Sequence, residues 1–289
     1  MEMKETKLKI AVQKGGRLNE DSIKLLKSCG IGLRNGVNQL KTEAEDFPLE
    51  VYFLRDDDIP QYVADAVADI GIVGENVFYE KNKEAVIVDK LGFGKCRLSL
   101  AIPKEKEYEG RNWLNQKKIA TSYPHLVRRF LDENGLEAEV HEISGSVEIA
   151  PGIGLSDAVV DLVSSGSTLF MNGLQEVETI LRSEAVMIRH PELNAEKLEL
   201  LRKLQFRINA VGKAQKNKYI LMNAPNGKLP EIINLLPGMK SPTVLPLAET
   251  GWSSVHSVVS ENDFWNLIEN LQEHGAEGIL VIPIEKMII

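Results

Sequence analysis

The sequence predicts an α/β fold: two similar lobes followed by a smaller C-terminal unit. Three observations carry this. Short apolar runs alternate with amphipathic stretches along the 289 residues, the pattern of strands and helices in turn. An internal echo follows: Asp65–Phe78 (DAVADIGIVGENVF) lines up with Asp157–Phe170 (DAVVDLVSSGSTLF) at an offset of 92, with six identities in fourteen positions. The tail then reads as β-α-β-β-α-β, the order of a ferredoxin-like unit.

Taken in order, Lys9-Ile10-Ala11-Val12 is strand-like. Glu20–Cys29 carries Ile23, Leu25 and Leu26 at helical spacing and stops at Gly30. Asp58 is placed to cap the next helix, with Pro60 in its first turn, where a missing N–H costs nothing. That helix delivers the chain into the apolar run Ile70–Gly74. A second strand–loop–helix start, Lys118-Ile119-Ala120, stands ahead of the second echo copy as Lys9-Ile10-Ala11 stands ahead of the first. Leu200, Leu201, Leu204, Ile208 and Val211 predict a further helix. In the tail, Tyr219–Met222, Val244–Leu247, Ser254–Val259 and Gly278–Ile284 read as strands. Pro230–Leu236 and the Phe264–Leu271 segment, closed by Gly275, read as helices. The expected domains are 1–98 with 195–222, 99–194, and a tail of 223–289.

Composition excludes several classes. With 34 basic and 42 acidic residues the net charge is −8, a poor field for a non-specific nucleic-acid or anionic-membrane binder. No run reaches the roughly 18 consecutive apolar residues of a membrane span. The polar start runs straight into a strand, so no signal peptide is expected. Cys29 and Cys96 form no metal or disulfide spacing, which suits inert thiols in a reducing cytoplasm. No GxxxxGK[ST], no GxGxxG after the first strand, no GxSxG and no HExxH occurs.

In open α/β sheets ligands sit beyond the carboxyl ends of the strands, which points to four loops: Gln13–Arg17, Gly71–Asn76, Ser122–His125 and Ser164–Thr168. The last is the strongest signal. Asp161–Leu169 ends a buried strand in hydroxyls and glycine, so its N–H groups and the hydroxyls of Ser164, Ser167 and Thr168 can curl around a phosphate. The competing reading is an ordinary strand-to-helix turn. Lys14, Gly15, Gly16 and Arg17 offer two cations at a loop, for polyphosphate or merely for solvent. Arg55 and Asp56 can face the cleft, where acids orient a ribose hydroxyl or the water shell of Mg²⁺. Tyr123 can stack on a base or simply pack, and His125 reads as structural.

Together, Val12–Leu18, Arg55–Pro60, Asp69–Asn76, Cys96–Ser99, Ala120–His125, Gly145–Glu148 and Asp161–Leu169 resemble the ATP phosphoribosyltransferase family over essentially the whole chain. Ser241-Pro242-Thr243 and Val281–Glu285 extend the resemblance to the long form with a regulatory tail. The resemblance implies a bilobal core like periplasmic binding proteins and an ACT-like ferredoxin-like tail. It implies transfer from 5-phosphoribosyl 1-pyrophosphate to N1 of ATP with Mg²⁺, the metal being held mainly by substrate phosphates. By it, Asp161, Ser164, Ser165, Gly166, Ser167, Thr168 and Leu169 bind the phosphoribosyl substrate, with Glu148 near the ribose. Lys14, Arg17 and Arg55 serve phosphates, and Lys14, Gly15, Arg17, Asp69, Glu75 and Tyr123 lie around ATP. Asn223, Met239, Ser241, Thr243, Val258 and Gly278 would contact histidine as feedback inhibitor, in a homo-oligomer running from dimer to hexamer. Some relatives carry aspartate where Asn223 stands, which bears on how strongly the inhibitor's ammonium is held. The rival class is a bilobal solute-binding or sensor module without chemistry, and a third reading makes the tail an assembly domain alone.

Overall fold

The computed structural model describes residues 6–34, 40–164, 166–236 and 241–289. It divides into two units, Met1–Leu201 and Arg202–Ile289.

The first unit holds two sheets. One is opened by β1 (Leu8–Gln13), β2 (Lys41–Glu43), β3 (Leu49–Leu54), β4 (Ile70–Gly74) and β5 (Val86–Lys90), with helices α1 (Arg17–Ser28), α2 (Ile59–Ala64) and α3 (Glu75–Lys81). The other comprises β6 (Cys96–Pro103), β7 (Lys118–Thr121), β8 (Glu139–Glu142), β9 (Ala158–Val163) and β10 (Leu174–Ser183), with α4 (Pro124–Glu133) and α5 (Ser167–Met171). Strand β11 (Ala185–Arg189) then returns to the first sheet, giving the orders β2-β3-β1-β4-β11-β5 and β10-β6-β9-β7-β8. The chain therefore passes between the sheets twice, through Leu91–Lys95 and through Glu184.

Each sheet contains a parallel trio: β3-β1-β4 in the middle of one, and β9-β7-β8 along one side of the other, with β8 at its edge. An antiparallel strand flanks each trio, β11 beside β4 and β6 beside β9. Central parallel strands are covered on both faces and need continuous apolar runs; Ile10, Ala11, Val12, Ile70, Ile72 and Val73 are accordingly fully buried. Helix α4 sinks Leu126, Val127, Phe130 and Leu131 into the core of the second sheet, each apolar side chain contributing about 1.5–3 kcal/mol.

The two lobes do repeat, but not in the register of the sequence echo. Lys9 N donates to Asp69 Oδ2 at 2.8 Å, and Asp69 N donates back to Lys9 O at 2.9 Å. Lys118 N and Asp157 do the same at 2.9 and 2.8 Å. Ile10 pairs with Ile70 as Ile119 pairs with Ala158. Through the strands the offset is thus 88, from 70 to 158, whereas the helices that follow start at Glu75 and Ser167, an offset of 92. From strand start to helix start the second lobe therefore carries four extra residues. The echoed Asp65-Ala66-Val67 forms the turn that closes α2, while Asp157-Ala158-Val159 opens a strand.

The expected cap at Asp58 is absent. A 3₁₀ turn over Asp56–Asp58 already puts Asp58 at φ −89°, ψ −23°, and a capping side chain needs an extended residue to reach the first-turn N–H groups. Pro60 does sit in the first turn of α2.

The second unit follows the expected order. After α6 (Ala195–Gln215), which begins before the unit boundary, come β12 (Asn217–Pro225), α7 (Leu229–Leu235), β13 (Thr243–Pro246), β14 (Trp252–Ser260), α8 (Phe264–Glu273) and β15 (Glu277–Pro283). The strands lie β13-β14-β12-β15, all antiparallel, which is the ferredoxin-like arrangement. Ile220, Met222, Ala224, Val255 and Val259 pack beneath the two helices with Ile232, Leu267 and Leu271.

Candidate active site

Parallel strands bring their carboxyl ends to one edge, and most of the expected residues are there. At the end of β1, Lys14 N donates to Leu54 O at 2.8 Å, which ties the Lys14–Arg17 loop to the end of β3 and so to Arg55. Lys14, Gly15, Arg17 and Arg55 are all exposed on this edge. Asp56 follows at once. Its Oδ1 is buried with no hydrogen-bond partner among the described residues. Burial, then the charge of Asp57, pushes its carboxyl up to about 6, with Lys81 opposing.

On the second sheet, β9 ends at buried Val163, and α5 is anchored by buried Leu169. Between them Ser164 is exposed, and Ser167 and Thr168 are exposed at the start of the helix. The loop is held from behind: Arg97 Nη1 donates to Ser164 O at 3.2 Å, while Glu176 grips Arg97 at 2.5 and 2.6 Å. Gly166 has φ +83°, a conformation costly to any residue with a Cβ. Ser165 lies outside the described residues.

Asp161, on β9, is half-buried and accepts from Leu162 N at 2.8 Å. Its carboxyl is raised, first by burial and further by the nearby charge of Glu148. Glu148 stands in a 3₁₀ turn whose Val147 is buried in the lobe. Tyr123, at the end of β7, is close enough to Asp161, Asp56 and Asp57 to feel their charges; burial first, then Asp161, lifts its phenol well above the ordinary range. Tyr123 therefore stands within electrostatic reach of Asp161 on its own sheet and of Asp56 and Asp57 on the other, and Asp161 within reach of Glu148.

Two expected residues do not join them. Asp69 precedes β4, at the amino edge of the sheet; it is 3% exposed, and its carboxylate is taken by Lys9 N and by Lys197 Nζ at 2.7 Å. Glu75 is buried at the start of α3 and bound to Lys90 Nζ at 3.0 Å. Sequence reading also missed residues that link the lobes. Asn76 Nδ2 donates to Tyr123 OH at 3.3 Å, and Glu80 accepts from His125 N at 2.9 Å and Leu126 N at 3.0 Å. Asn76 lay within a motif already noted, whereas nothing local in sequence marks Glu80. Cys29 is buried, and burial pushes the Cys96 thiol up, so neither reads as a nucleophile.

In the second unit, strand alternation turns Asn223, Val258 and Thr243 away from the helix-covered face that holds Met222, Val259 and Val244. Asn223 meets Gly278: a Cβ there would stand 3.2 Å from Asn223 Nδ2. Ser241 is exposed just before β13, and Met239 lies outside the described residues.

The family described as HisG, ATP phosphoribosyltransferase, matches residues 55–210, and the HisG C-terminal domain matches 214–286. The ATP phosphoribosyltransferase of Cytophaga hutchinsonii is 59% identical over 283 residues, covering 98% of this chain and 99% of the relative. That of Bacteroides thetaiotaomicron is 57% identical over 282 residues, covering 98% and 100%. Among solved structures, the ATP phosphoribosyl transferase (HisG:HisZ) complex from Thermotoga maritima aligns with a TM-score of 0.60 at 31% identity, over 70% of this chain and 98% of that one. Tv2483 bound to L-arginine aligns at 0.50 with 14% identity, over 72% and 86%, a likeness of fold alone. With family matches over most of its length and relatives aligned nearly end to end, the chain belongs to the ATP phosphoribosyltransferase family, enzymes of histidine biosynthesis, in the long form with its own C-terminal domain.

Proposed function

We propose that the chain joins N1 of the ATP adenine to C1′ of 5-phosphoribosyl 1-pyrophosphate and releases pyrophosphate. The observation that carries this reading is the set of exposed hydroxyl residues Ser164, Ser167 and Thr168 around Gly166 at the end of β9, the strand that carries Asp161 with Glu148 near it. Ser164, Gly166, Ser167 and Thr168, with Ser165 by resemblance, cradle the 5′-phosphate through N–H and hydroxyl donors. Buried Leu169 anchors the turn.

The chemistry needs no general base, because adenine N1 attacks as a neutral lone pair. The N1–C1′ bond forms as the C1′–O bond to pyrophosphate breaks, and positive charge develops on the ribose. Asp161 and Glu148 sit where they can stabilise that charge and orient the ribose hydroxyls. Lys14, Arg17 and Arg55, on the edge of the other sheet, neutralise the polyphosphates of ATP and of the leaving group. Positioning then supplies the rest of the acceleration.

The donor set suits Mg²⁺ held largely by substrate phosphates. Among the described residues no three His, Cys, Asp or Glu side chains cluster as a metal cage. Asp56, with a buried oxygen lacking a partner among the described residues, and the Asp161–Glu148 pair can supply the one or two carboxylates that Mg²⁺ takes. When bound, Mg²⁺ offsets the charge on the pyrophosphate.

The sheet face opposite α7 and α8, around Asn223, Ser241, Thr243, Val258 and Gly278, is the proposed histidine site, acting as feedback control in a homo-oligomer of dimer to hexamer. The proposed location is the cytoplasm; among the described residues no helix is long and apolar enough to cross a membrane. Incubation with ATP, 5-phosphoribosyl 1-pyrophosphate and Mg²⁺ tests the reaction through the absorbance change of the N1-substituted adenine. A folded protein that gives none is a binding module rather than this enzyme. Histidine should raise the thermal midpoint, since a ligand of the native state stabilises it.

A further inference from the structure

A short hydrogen-bonded chain runs from the crossover between the sheets to the cleft. Ser183 ends β10, immediately before the chain passes back to the first sheet, and Asn76 stands in the first turn of α3. Both are 4% exposed. Asn76 N donates to Ser183 Oγ at 3.0 Å, and Ser183 Oγ donates to Asn76 Oδ1 at 2.9 Å. That exchange fixes which way the amide faces, leaving Nδ2 to donate to Tyr123 OH at 3.3 Å.

Two consequences follow for Tyr123. A phenol oxygen that accepts one hydrogen bond keeps its own O–H free to rotate and donate, and Tyr123 lies near enough to Asp161 and Asp56 to feel their charges. Burial and those acidic neighbours also keep the phenol protonated. A donor is therefore left beside Asp161 and Asp56, the acids that the function proposed above sets around its substrates.

The backbone makes room for this arrangement. A Cβ on Gly74 would lie 2.5 Å from Asn76 Oδ1, although Gly74 itself has an ordinary φ of −66°. Glycine is required there for the amide, not for the chain.

We propose that Tyr123 acts in the site as a hydroxyl donor to a substrate phosphate or ribose oxygen, and that Asn76 and Ser183 are positioning residues that aim it, with Gly74 leaving the space. The inference rests on the function proposed above, and its role for Tyr123 is distinct from stacking on the base.

A double-mutant cycle tests it. Tyr123→Phe keeps the ring and should lower kcat/KM roughly tenfold, the value of one hydrogen bond to an anionic or strongly polar oxygen. Ser183→Ala and Gly74→Ala should each lower it by about three- to fivefold, with the thermal midpoint within about 3 °C of wild type. In the Tyr123→Phe background neither should cause any further loss, because residues that act through one hydroxyl are not additive. A purely structural role would make the losses multiply, and that outcome overturns the proposal, as does Tyr123→Phe with wild-type kinetics. If Ser183→Ala fails to fold, Gly74→Ala carries the same cycle. Separate KM values for ATP and 5-phosphoribosyl 1-pyrophosphate identify which substrate receives the O–H. If the wild-type protein forms no product, the function reading fails by itself; the same cycle read by equilibrium binding of each substrate still tests the hydroxyl.

Discussion

The turns after β4 and after β9 occupy equivalent places in the two lobes and have been put to opposite uses. In the first, the strand runs straight into α3, and Glu75, Asn76 and Val77 are buried. In the second, the strand is one residue longer and three more precede the helix, and Ser164, Ser167 and Thr168 are exposed. In the helix register Gly74 corresponds to Gly166 and Asn76 to Thr168, yet the two glycines serve different needs. Gly166 supplies a positive φ of 83°, whereas Gly74 supplies empty space beside an amide. One architectural unit thus yields a structural joint where its turn is closed and, in the function proposed above, a phosphate cradle where it is lengthened.

The largest expected contrast lies at the other end of these strands. Asp69 and Asp157 make the same backbone bonds, but Asp69 also binds Lys197, with side chains 4% and 25% exposed. Asp69→Ala leaves Lys197 without its partner and should cost about 3–5 kcal/mol in urea unfolding. Asp157→Ala should cost about 1 kcal/mol, the value of one ordinary hydrogen bond. Equal losses would mean that the Lys197 bridge adds nothing and that the lobes are balanced at their amino edges. Since Asp69 stands away from the carboxyl edge, neither substitution should shift KM for ATP in protein that remains folded.

A smaller effect concerns the half-buried acid at the carboxyl edge of the first sheet. Asp56 has a carboxyl raised from 3.8 to about 6. Below pH ~3.8 it is neutral in both folded and unfolded chains. Between there and about 6 only the unfolded chain releases the proton, so this residue's contribution to stability falls as pH rises, and the penalty is complete above 6. Asp56→Asn should therefore be more stable than wild type by about 2–3 kcal/mol at pH 8, the value of that shift at 1.36 kcal/mol per pKa unit. The gain should vanish near pH 4. A constant difference across pH would show that ionisation of Asp56 is not what separates the two proteins.

Much of this arrangement was legible in the sequence, for physical reasons. Alternating apolar runs and the tail's element order mark the α/β core and the ferredoxin-like unit because burial imposes those periods on the chain. The loop after β9 stands out since hydroxyls and glycine at the end of a buried strand supply phosphate donors, although an ordinary strand-to-helix turn uses the same residues. The four-residue slip did not show, because DAV recurs by composition while only strand pairing reveals that Asp69, not Asp65, matches Asp157. Asp69 looked like a site residue from its place in a motif, but the direction of β4 puts it at the wrong edge. Ser183 and Glu80 carried no local signal at all; their partners are 107 and 45 to 46 residues away, distances that only the folded chain closes.

The finest test of the comparison is Thr168→Ala, at the position that matches Asn76. Thr168 is exposed, so little stability should be lost, within about 0.5 kcal/mol. Removing one hydroxyl from a phosphate cradle should raise KM for 5-phosphoribosyl 1-pyrophosphate roughly tenfold and leave KM for ATP nearly unchanged. Loss at Asn76 should instead travel through Tyr123 to whichever substrate receives its hydroxyl. Equal weakening of both substrates by Thr168→Ala would place the lengthened turn somewhere other than on the phosphate. A loss confined to ATP would reverse the assignment of the two turns.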